Sequence, residues 1–332
     1  GKNDVLIETI GSCYSKGTEY STVKNHQRSI IQKVIENQSK IINLIQKKEF
    51  KTLFKKLNEQ KTSTINLGYS ASGKVLAVGE SVKDFKIGDI VVSLGSSANH
   101  AQYSVVPHGL CIKIGNEVDP LQASVAAIAS IALNSVLLAN PLIGSKALVI
   151  GCGLIGQFII QFLNISGVEI TSVDIDDLKK EQSLLHGSNS FFSLEEFYQV
   201  NTSYEFENVF IVTPAIEKEL WKIIGNNSRN NSNVVMVGAA DLNCPRDIFY
   251  KKQLNFISPH SYGPGRGLYD FEILRKDFPK FSQTWDLRSN VKTFIKLLCD
   301  KKVSTSFIDV FEIDSTSSSS LNKVLENKKS FK

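Results

Sequence analysis

The sequence of 332 residues lacks several features that would define its class at once. Its five cysteines are dispersed, and no two of them form a Cys-x-x-Cys pair. An odd, dispersed set predicts reduced thiols in a cytoplasmic protein, and it argues against a disulfide scaffold or a zinc knuckle. No apolar run is long enough to cross a membrane. Hydrophobic residues make up 42% of the chain, as in an ordinary globular protein, and the length predicts about two domains.

Positive charge is confined to one segment. The net charge is +5, yet residues 21–61 hold ten Lys and Arg against three Glu, so the rest of the chain is not basic. Two apolar stripes at helical spacing predict an insertion of two amphipathic helices with a solvated basic face. A surface for anionic substrates or lipid headgroups is the alternative. Because only Phe50 and Phe54 interleave aromatic rings with the charges, we expect no nucleic-acid partner.

The most informative stretch is a glycine pattern in the middle of the chain. An apolar run at 147–150 leads into Gly151-x-Gly153-x-x-Gly156 and then into an apolar helical segment. In that context Gly151 permits a tight turn, Gly153 lets the backbone approach a diphosphate, and Gly156 lets the helix pack closely on the strand. The amide groups of the first helical turn, including Leu154 and Ile155, would face the phosphates. The pattern predicts a dinucleotide-binding loop.

An acidic residue follows at the expected distance. Residues 168–174 read as a second strand, and Asp174 lies 18 positions after Gly156, close to the offset of about 20 at which a carboxylate binds the adenosine ribose. A carboxylate there would repel a 2′-phosphate, so we expect NAD(H). The alternative is an ordinary tight turn in an α/β sheet with a solvated Asp174. Preference for NADP(H) would require a basic residue near Asp174, and we expect Lys179 and Lys180 to lie too far along the following helix.

The remaining pattern divides the chain in two. The run at 4–10 predicts a strand, and glycine-punctuated apolar runs at 67–79, 88–95, 101–107 and 111–114 predict four more in a compact all-β unit. A helical stretch at 121–140 follows, and beyond Asp174 strands alternate with helices, which predicts a parallel, doubly wound sheet. The predicted strands of this second half are 209–212, 234–238 and 254–258, and the predicted helices are 217–224, 290–299 and 321–326.

Several motifs resemble those of the medium-chain dehydrogenase/reductase superfamily. They are Gly68-x-x-x-x-Gly73-x-Val75 with Val78-Gly79, Phe85-x-x-Gly88-Asp89-x-Val91, Ala101-x-Tyr103-x-x-Val106-Pro107, and the nucleotide fold at 146–258. The resemblance covers nearly the whole chain. It implies an α/β protein with a GroES-like β-barrel domain at 1–120, a doubly wound Rossmann domain at 121–258, and a segment at 259–332 that returns to the first domain. It also implies an alcohol or carbonyl oxidoreductase.

A narrower subgroup is similar in five further stretches. These are 15–19, the basic insertion, 67–70, 98–103 and 261–266, which resemble the bi-domain oxidoreductases of bacterial surface-polysaccharide loci. The resemblance implies an anionic sugar or nucleotide-sugar as the small-molecule substrate, and we expect a homo-oligomer. It also leads us to expect a first strand before Asp4 and a second, fused oxidoreductase domain in the natural protein.

The zinc-ligand positions of the superfamily hold other residues here. Lys16 stands where zinc-dependent members have a cysteine, Tyr69 replaces the histidine ligand, and the third ligand position falls near Ala126. Cys13 is displaced from the first position. Since a catalytic zinc site needs about three protein ligands, we expect no metal.

Without a metal, the substrate oxygen needs a proton donor from the protein. The resemblance places Thr18 at the position of a proton-relaying hydroxyl, and Tyr69 could reach the same space. His100 has a suitable pKa for acid/base work but could equally be a hydrogen-bonded structural group. Arg266 could hold a phosphate or carboxylate, or form a salt bridge that stabilises its loop. Glu19 is either an acid in the pocket or an internal ion-pair partner.

The carboxyl ends of the parallel strands should contact the cofactor. Val212, Thr213, Gly238 and Ala239 end two of these strands, and the alternative is a buried sheet edge without a ligand. Histidines 26, 108, 186 and 260 read as structural or exposed. Three functions therefore remain: a zinc-independent NAD(H) oxidoreductase acting on a sugar, an NADPH-dependent quinone or enone reductase, and a dinucleotide-binding module without turnover.

Overall fold

The computed structural model of the chain describes residues 1–19, 66–200, 204–238, 244–277 and 285–312. The predicted basic insertion at 21–61, Ala239 and the predicted last helix at 321–326 lie outside these residues. Within the ranges given, no helix combines the length and the apolarity that a membrane span requires.

The first half forms a five-stranded antiparallel sheet. The strand order is β4-β1-β2-β3-β5, where the strands are β1 (Asp4–Ser12), β2 (Ser70–Val78), β3 (Ile90–Leu94), β4 (Tyr103–Pro107) and β5 (Cys111–Lys113). One face packs into the core, because Val5, Ile7, Val75 and Val91 are all fully buried. A Cβ at Gly73 would overlap the Glu8 carbonyl oxygen, so close strand approach requires glycine there. All five predicted strands of this half are confirmed.

The second half forms a six-stranded parallel sheet. The order is β11-β10-β9-β6-β7-β8, with β6 (Lys146–Ile150), β7 (Glu169–Asp174), β8 (Ser190–Ser193), β9 (Phe206–Ile211), β10 (Ser228–Met236) and β11 (Asn255–Ile257). Strands β7 and β8 are added on one side of β6, and β9 to β11 on its other side. The parallel neighbours β6 and β9 therefore mark the point where the strand order reverses. In such sheets the ligand crevice lies outside the carboxyl ends at this switch point.

Helices flank both sheets. They are α1 (Pro120–Ala123), α2 (Ala126–Ala139), α3 (Leu154–Ile165), α4 (Lys180–Leu185), α5 (Leu194–Tyr198), α6 (Lys218–Asn227), α7 (Arg246–Lys252), α8 (Tyr269–Glu272) and α9 (Leu287–Cys299). The alanine-rich α2 is buried along most of its length, because it packs against α3, α9 and strands of the first sheet.

The predicted α/β fold class is confirmed, and four details of the prediction were wrong. The predicted helix at 121–140 is two helices, α1 and α2, because the chain turns at Ser124 and Val125. The pattern also missed β8, α5 and α7, which are only four to seven residues long and carry little periodicity. The domain boundaries stay a prediction. Beyond residue 258, α9 packs on α2 and β5, and Phe307 packs on Phe158 of α3.

Candidate functional site

The glycine loop lies at the switch point of the parallel sheet. Gly151 has φ +95°, and its N–H donates to the Val173 carbonyl at 2.8 Å. The Val212 N–H donates to the Ile150 carbonyl at 2.8 Å, which ties the end of β9 to the end of β6. A Cβ at Gly151 would lie 3.0 Å from the Thr213 side chain. The tight turn predicted at Gly151 is therefore present, and it is wedged between three strand ends.

Space for a diphosphate is open above the loop. A Cβ added at Gly153 would meet no atom within 4 Å, whereas a Cβ at Gly156 would overlap the Gly151 carbonyl oxygen. The helix α3 begins at Leu154 without a side-chain cap and without an acidic residue in its first turn. No side chain therefore caps its first N–H groups, and at such a helix end the dipole favours an anion. The cradle fits the diphosphate of a dinucleotide.

Asp174 points at the glycine loop. Its Oδ2 accepts the Cys152 N–H at 2.6 Å, and its Oδ1 accepts the Asp176 N–H at 2.9 Å. The carboxylate is half-buried, and each oxygen keeps a second lone pair for a ribose hydroxyl. The structure thus brings Asp174 to the crevice, as its offset in the sequence predicts. The contact with a ribose stays a prediction.

Lys179 corrects one sequence-based expectation. The sequence places Lys179 too far along the helix to influence Asp174, but Lys179 ends the short turn before α4 and is within electrostatic range of that carboxylate. Burial lowers the pKa of Lys179, and Asp176 and Asp174 oppose this shift, while Lys16 of the first half adds to it. Lys179 therefore lies near Asp174, and Lys16 of the first half lies near Lys179.

The ends of β9 and β10 form the wall beside the loop. The N–H groups of Val237 and Gly238 both donate to the Ile211 carbonyl, and a Cβ at Gly238 would overlap the Thr213 carbonyl oxygen. Val212 and Ile155 pack against the core, and Leu154 is buried. These residues line the place where a cofactor contact is predicted, and that contact stays a prediction. Ala239 lies outside the described residues.

A second polar cluster lies beside the antiparallel sheet. His100 contacts Ser12 Oγ through Nδ1 at 2.8 Å and Glu19 Oε2 through Nε2 at 2.8 Å. Glu19 is buried, and its Oε1 accepts the Ser15 N–H at 2.8 Å. A Cβ at Gly68 (φ +97°) would lie 2.7 Å from the His100 backbone nitrogen. Of the two alternatives for Glu19, the structure shows the contact with an internal partner, His100.

Tyr69 and Thr18 lie next to this cluster. Burial raises the pKa of the Tyr69 phenol, and the Ser15 and Thr18 hydroxyls beside it oppose the shift. A raised pKa keeps the phenol protonated at neutral pH, as a hydrogen-bond donor must be. The Tyr69 oxygen itself is buried, and the Ser15 and Thr18 hydroxyls are its hydrogen-bonding neighbours. The structure therefore brings together Thr18, Tyr69 and His100, whose catalytic roles stay predictions.

The three zinc-ligand positions are occupied by groups that do not converge on a metal. Lys16 is exposed, Tyr69 carries a phenol, and Ala126 is buried. Ser70, next to Tyr69, donates to the Ser124 carbonyl at 2.6 Å and accepts the Ala127 N–H at 3.1 Å. Across the residues that the structure describes, no three His, Cys, Asp or Glu side chains form a possible metal site. The absence of zinc stays a prediction.

Arg266 forms a salt bridge within its own loop. Its Nη1 donates to Glu272 Oε1 at 2.7 Å. Its guanidinium lies 5.4 Å from the centroid of the Tyr262 ring, which is within cation–π range. Tyr262 is almost fully buried, and its hydroxyl has no hydrogen-bond partner among the described residues. The loop-stabilising alternative is thus observed for Arg266, and its catalytic role stays a prediction.

Sequence reasoning missed a buried network behind the glycine loop. Gln157, on the first turns of α3, contacts Cys152, Ser183 and His186. Periodicity assigns Gln157 to a helix but gives no reason for a fully buried amide there. A glutamine on the apolar face of the helix after a dinucleotide loop was the signal that could have found it.

The fold and this geometry agree with comparisons to known proteins. No protein-family model matches the chain. It is 26% identical over 147 residues to (R,R)-butanediol dehydrogenase of Bacillus subtilis (strain 168), a match covering 37% of this chain and 42% of that protein. It is 28% identical over 141 residues to a probable quinone oxidoreductase of Schizosaccharomyces pombe, covering 41% and 43%. The chain thus matches less than half the length of these curated relatives.

Solved structures are similar over nearly the whole chain. Galactitol-1-phosphate dehydrogenase from Escherichia coli superposes with a TM-score of 0.69 at 16% identity, covering 93% of this chain and 85% of that one. Quinone oxidoreductase from Coxiella burnetii gives 0.65 at 16%, covering 98% and 86%. Escherichia coli quinone oxidoreductase complexed with NADPH gives 0.63 at 14%, covering 93% and 82%.

The structural neighbours show the fold of the chain, and the curated relatives are alcohol and quinone oxidoreductases. The chain has a GroES-like domain and a Rossmann domain, the fold of its structural neighbours. The resemblance to the medium-chain dehydrogenase/reductase superfamily is thereby confirmed.

Proposed function

We propose that this protein is a zinc-independent, NAD(H)-dependent oxidoreductase of an alcohol or carbonyl substrate. One observation carries the proposal: the open space above Gly153 lies between an uncapped helix N-terminus and the half-buried carboxylate of Asp174. The curated relatives are named as a butanediol dehydrogenase and a probable quinone oxidoreductase, which supports this reaction class. A sugar or nucleotide-sugar as substrate, a cytoplasmic location and a homo-oligomeric state remain part of the proposal through the sequence resemblance.

The residues divide the work between binding and proton transfer. The loop from Gly151 to Gly156 holds the diphosphate, and Asp174 holds the adenosine ribose. Val212, Thr213, Gly238 and Ala239 line the nicotinamide side. When bound, the nicotinamide supplies or accepts a hydride.

Proton transfer falls to the side chains beside the antiparallel sheet. The Tyr69 phenol donates its proton to the substrate oxygen; its hydroxyl is buried and stays protonated at neutral pH, which supports this role. Thr18 lies beside this phenol and lowers its pKa, and the His100–Glu19 pair orients the segment that carries Thr18. Arg266 holds Tyr262 and its loop in place through Glu272.

Dinucleotide binding tests the proposal directly. NADH and NADPH are titrated by fluorescence against the wild-type protein, Asp174→Asn and Gly153→Ala. We expect tighter NADH than NADPH binding, a tenfold loss of NADH affinity for Asp174→Asn, and a larger loss for Gly153→Ala with an unchanged melting temperature. Asp177→Asn, an exposed carboxylate on the next turn, is the matched control and should bind as the wild type. No binding of either dinucleotide by the wild type would refute the proposal.

Lys179 favours a second candidate, an NADPH-dependent quinone or enone reductase. Its ammonium group is within electrostatic range of Asp174 and could offset the repulsion of a 2′-phosphate. A structural neighbour is a quinone oxidoreductase complexed with NADPH. If this candidate holds, NADPH binds more tightly than NADH, Lys179→Gln weakens NADPH selectively, and Lys180→Gln does not. Reduction of 1,4-naphthoquinone in place of diacetyl would identify this reaction class.

The third candidate is a dinucleotide-binding module without turnover. The replaced zinc ligands favour it, because Lys16, Tyr69 and Ala126 supply no metal-based polarisation of a substrate oxygen. Tight dinucleotide binding without hydride exchange across diacetyl, quinones and a sugar panel would support it. Steady turnover with any of these substrates would exclude it.

A further inference from the structure

Four polar side chains, three of them buried, form a cluster behind the glycine loop, called here the Gln157 cluster. Gln157 is fully buried, and its Nε2 donates to the Cys152 carbonyl at 3.1 Å and to Ser183 Oγ at 2.9 Å. Its Oε1 lies 2.7 Å from His186 Nδ1. The other ring nitrogen of His186 lies 2.8 Å from Gln182 Nε2. The cluster consists of Gln157, Ser183, His186 and Gln182.

The hydrogen bonds of the cluster have only one consistent direction. The Cys152 carbonyl can only accept, so the amide nitrogen of Gln157 must face it and the amide oxygen must face His186. His186 Nδ1 therefore carries the proton, and its Nε2 accepts from Gln182. Ser183 passes the direction on by donating to the Lys179 carbonyl at 2.8 Å. Burial lowers the pKa of His186 to about 4, so the ring is neutral at pH 7 as this arrangement requires.

The cluster fixes a peptide of the dinucleotide loop. The Cys152 N–H is held by Asp174 at 2.6 Å, and the Cys152 carbonyl is held by Gln157. In a trans peptide the carbonyl and the following N–H point in opposite directions, so the Gly153 N–H points away from Gln157. It enters the open space above Gly153 that the diphosphate would fill. Without Gln157, this peptide could rotate and withdraw its donor.

We infer that Gln157, supported by neutral His186, is a positioning residue for dinucleotide binding that never touches the ligand. The inference rests on the proposed function, because it takes a dinucleotide diphosphate as the ligand of the loop. It explains why a fully buried amide lies on the apolar face of α3. Preorganised donors bind an anion more tightly than donors that must first be ordered.

A matched pair of glutamines one helical turn apart tests this role. Gln161 is also buried on α3, and it bonds to both the N–H and the carbonyl of Ser304, far from the loop. Gln157→Leu and Gln161→Leu should lower the melting temperature by similar amounts. Only Gln157→Leu should weaken binding of NADH and of ADP-ribose, by about tenfold in a calorimetric titration. Equal affinities for the two variants would overturn the inference.

Two substitutions of His186 test the support. His186→Gln keeps an N–H that can donate to Gln157 Oε1, and it should bind NADH within twofold of the wild type. His186→Leu removes the donor and should weaken binding by about fivefold. Identical NADH affinities of His186→Leu and the wild type would show that His186 does not support Gln157.

The state of the loop is also measured without any ligand. The Cys152 thiol is fully buried in the loop, and burial followed by the nearby Asp174 charge raises its pKa to about 12. Alkylation by iodoacetamide at pH 8, with Cys152 located by mass spectrometry, should be at least fivefold faster in Gln157→Leu than in Gln161→Leu. If the wild type binds no dinucleotide, the proposed function fails. The ratio of the two alkylation rates still tests whether Gln157 holds the Cys152 peptide in place. A ratio of one would refute it.

Discussion

The glycine loop and the His100 cluster, which consists of Ser12, Glu19 and His100, are polar sites of two different kinds. At the end of the parallel sheet, backbone N–H groups face the open space, and glycines at fixed spacing create that space. Beside the antiparallel sheet, side chains far apart in sequence meet: Ser12 and Glu19 contact His100 across 88 and 81 positions. A site made of backbone leaves a local signature in the sequence, whereas a site made of distant side chains leaves none.

The largest expected effect falls on the backbone site. In Gly156→Ala the new Cβ overlaps the Gly151 carbonyl oxygen, a backbone atom that cannot move without moving the turn. We expect a loss of about 4 kcal/mol or more in the free energy of unfolding, measured by urea denaturation. Gly153→Ala is the control, since its Cβ meets nothing within 4 Å. Equal stability of the two variants would show that the loop does not constrain the helix.

The side-chain site should respond next. Glu19→Ala leaves His100 and the Ser15 N–H without their buried partner, and breaking a buried pair costs about 3 kcal/mol. The control is Glu219→Ala, which breaks an exposed pair with Lys222 and should cost less than about 0.5 kcal/mol. Comparable losses in urea denaturation would mean that the His100 cluster is only a surface ion pair.

Acid should weaken the backbone site through its support. The pKa of His186 is about 4 when folded, against about 6.5 when unfolded, so the unfolded chain binds the extra proton between these values. The contribution of His186 to stability should be complete above about pH 7 and should fall by about 3 kcal/mol as the pH approaches 4. In His186→Gln this loss should be absent from the pH dependence of urea denaturation. If the free energy of unfolding of His186→Gln falls between pH 6.5 and 4 as steeply as that of the wild type, the lowered pKa of His186 is contradicted.

The smallest effect should be a gain. A buried hydroxyl without a partner costs about 1 kcal/mol or more, so Tyr262→Phe should raise the free energy of unfolding by about 1 kcal/mol. Under the proposed function Tyr69→Phe loses most of the turnover with diacetyl. A destabilised Tyr262→Phe would reveal that the phenol has a partner and that the two sites differ less than described.

Part of this organisation was readable in the sequence, and part was not. The apolar runs of the first half predicted all five antiparallel strands, since alternation and glycine punctuation act over a few residues. The short strand β8 was missed because four residues carry no measurable period. Asp174 was found by its offset, but Lys179 was misplaced, because distance along a turn says little about where a long side chain reaches.

The candidate catalytic residues show the same limit. Resemblance brought Thr18, Tyr69 and His100 to attention, and the fold places them near one another. It did not predict that Glu19 would take one nitrogen of His100 and Ser12 the other. The sequence leaves Arg266 either as a phosphate or carboxylate ligand or as a salt-bridge partner in its loop, and the tertiary structure shows the salt bridge with Glu272.

By itself the sequence determined the order of the elements, the position of the turn at Gly151 and the acidic residue at the end of β7. These depend on local sterics and on periodicities of two and 3.6 residues. Only the tertiary structure decided which polar side chains meet, which hydroxyls are left without partners and how Gln157 is held by His186. Such contacts depend on packing between segments that the chain brings together from positions far apart, and no local pattern records them.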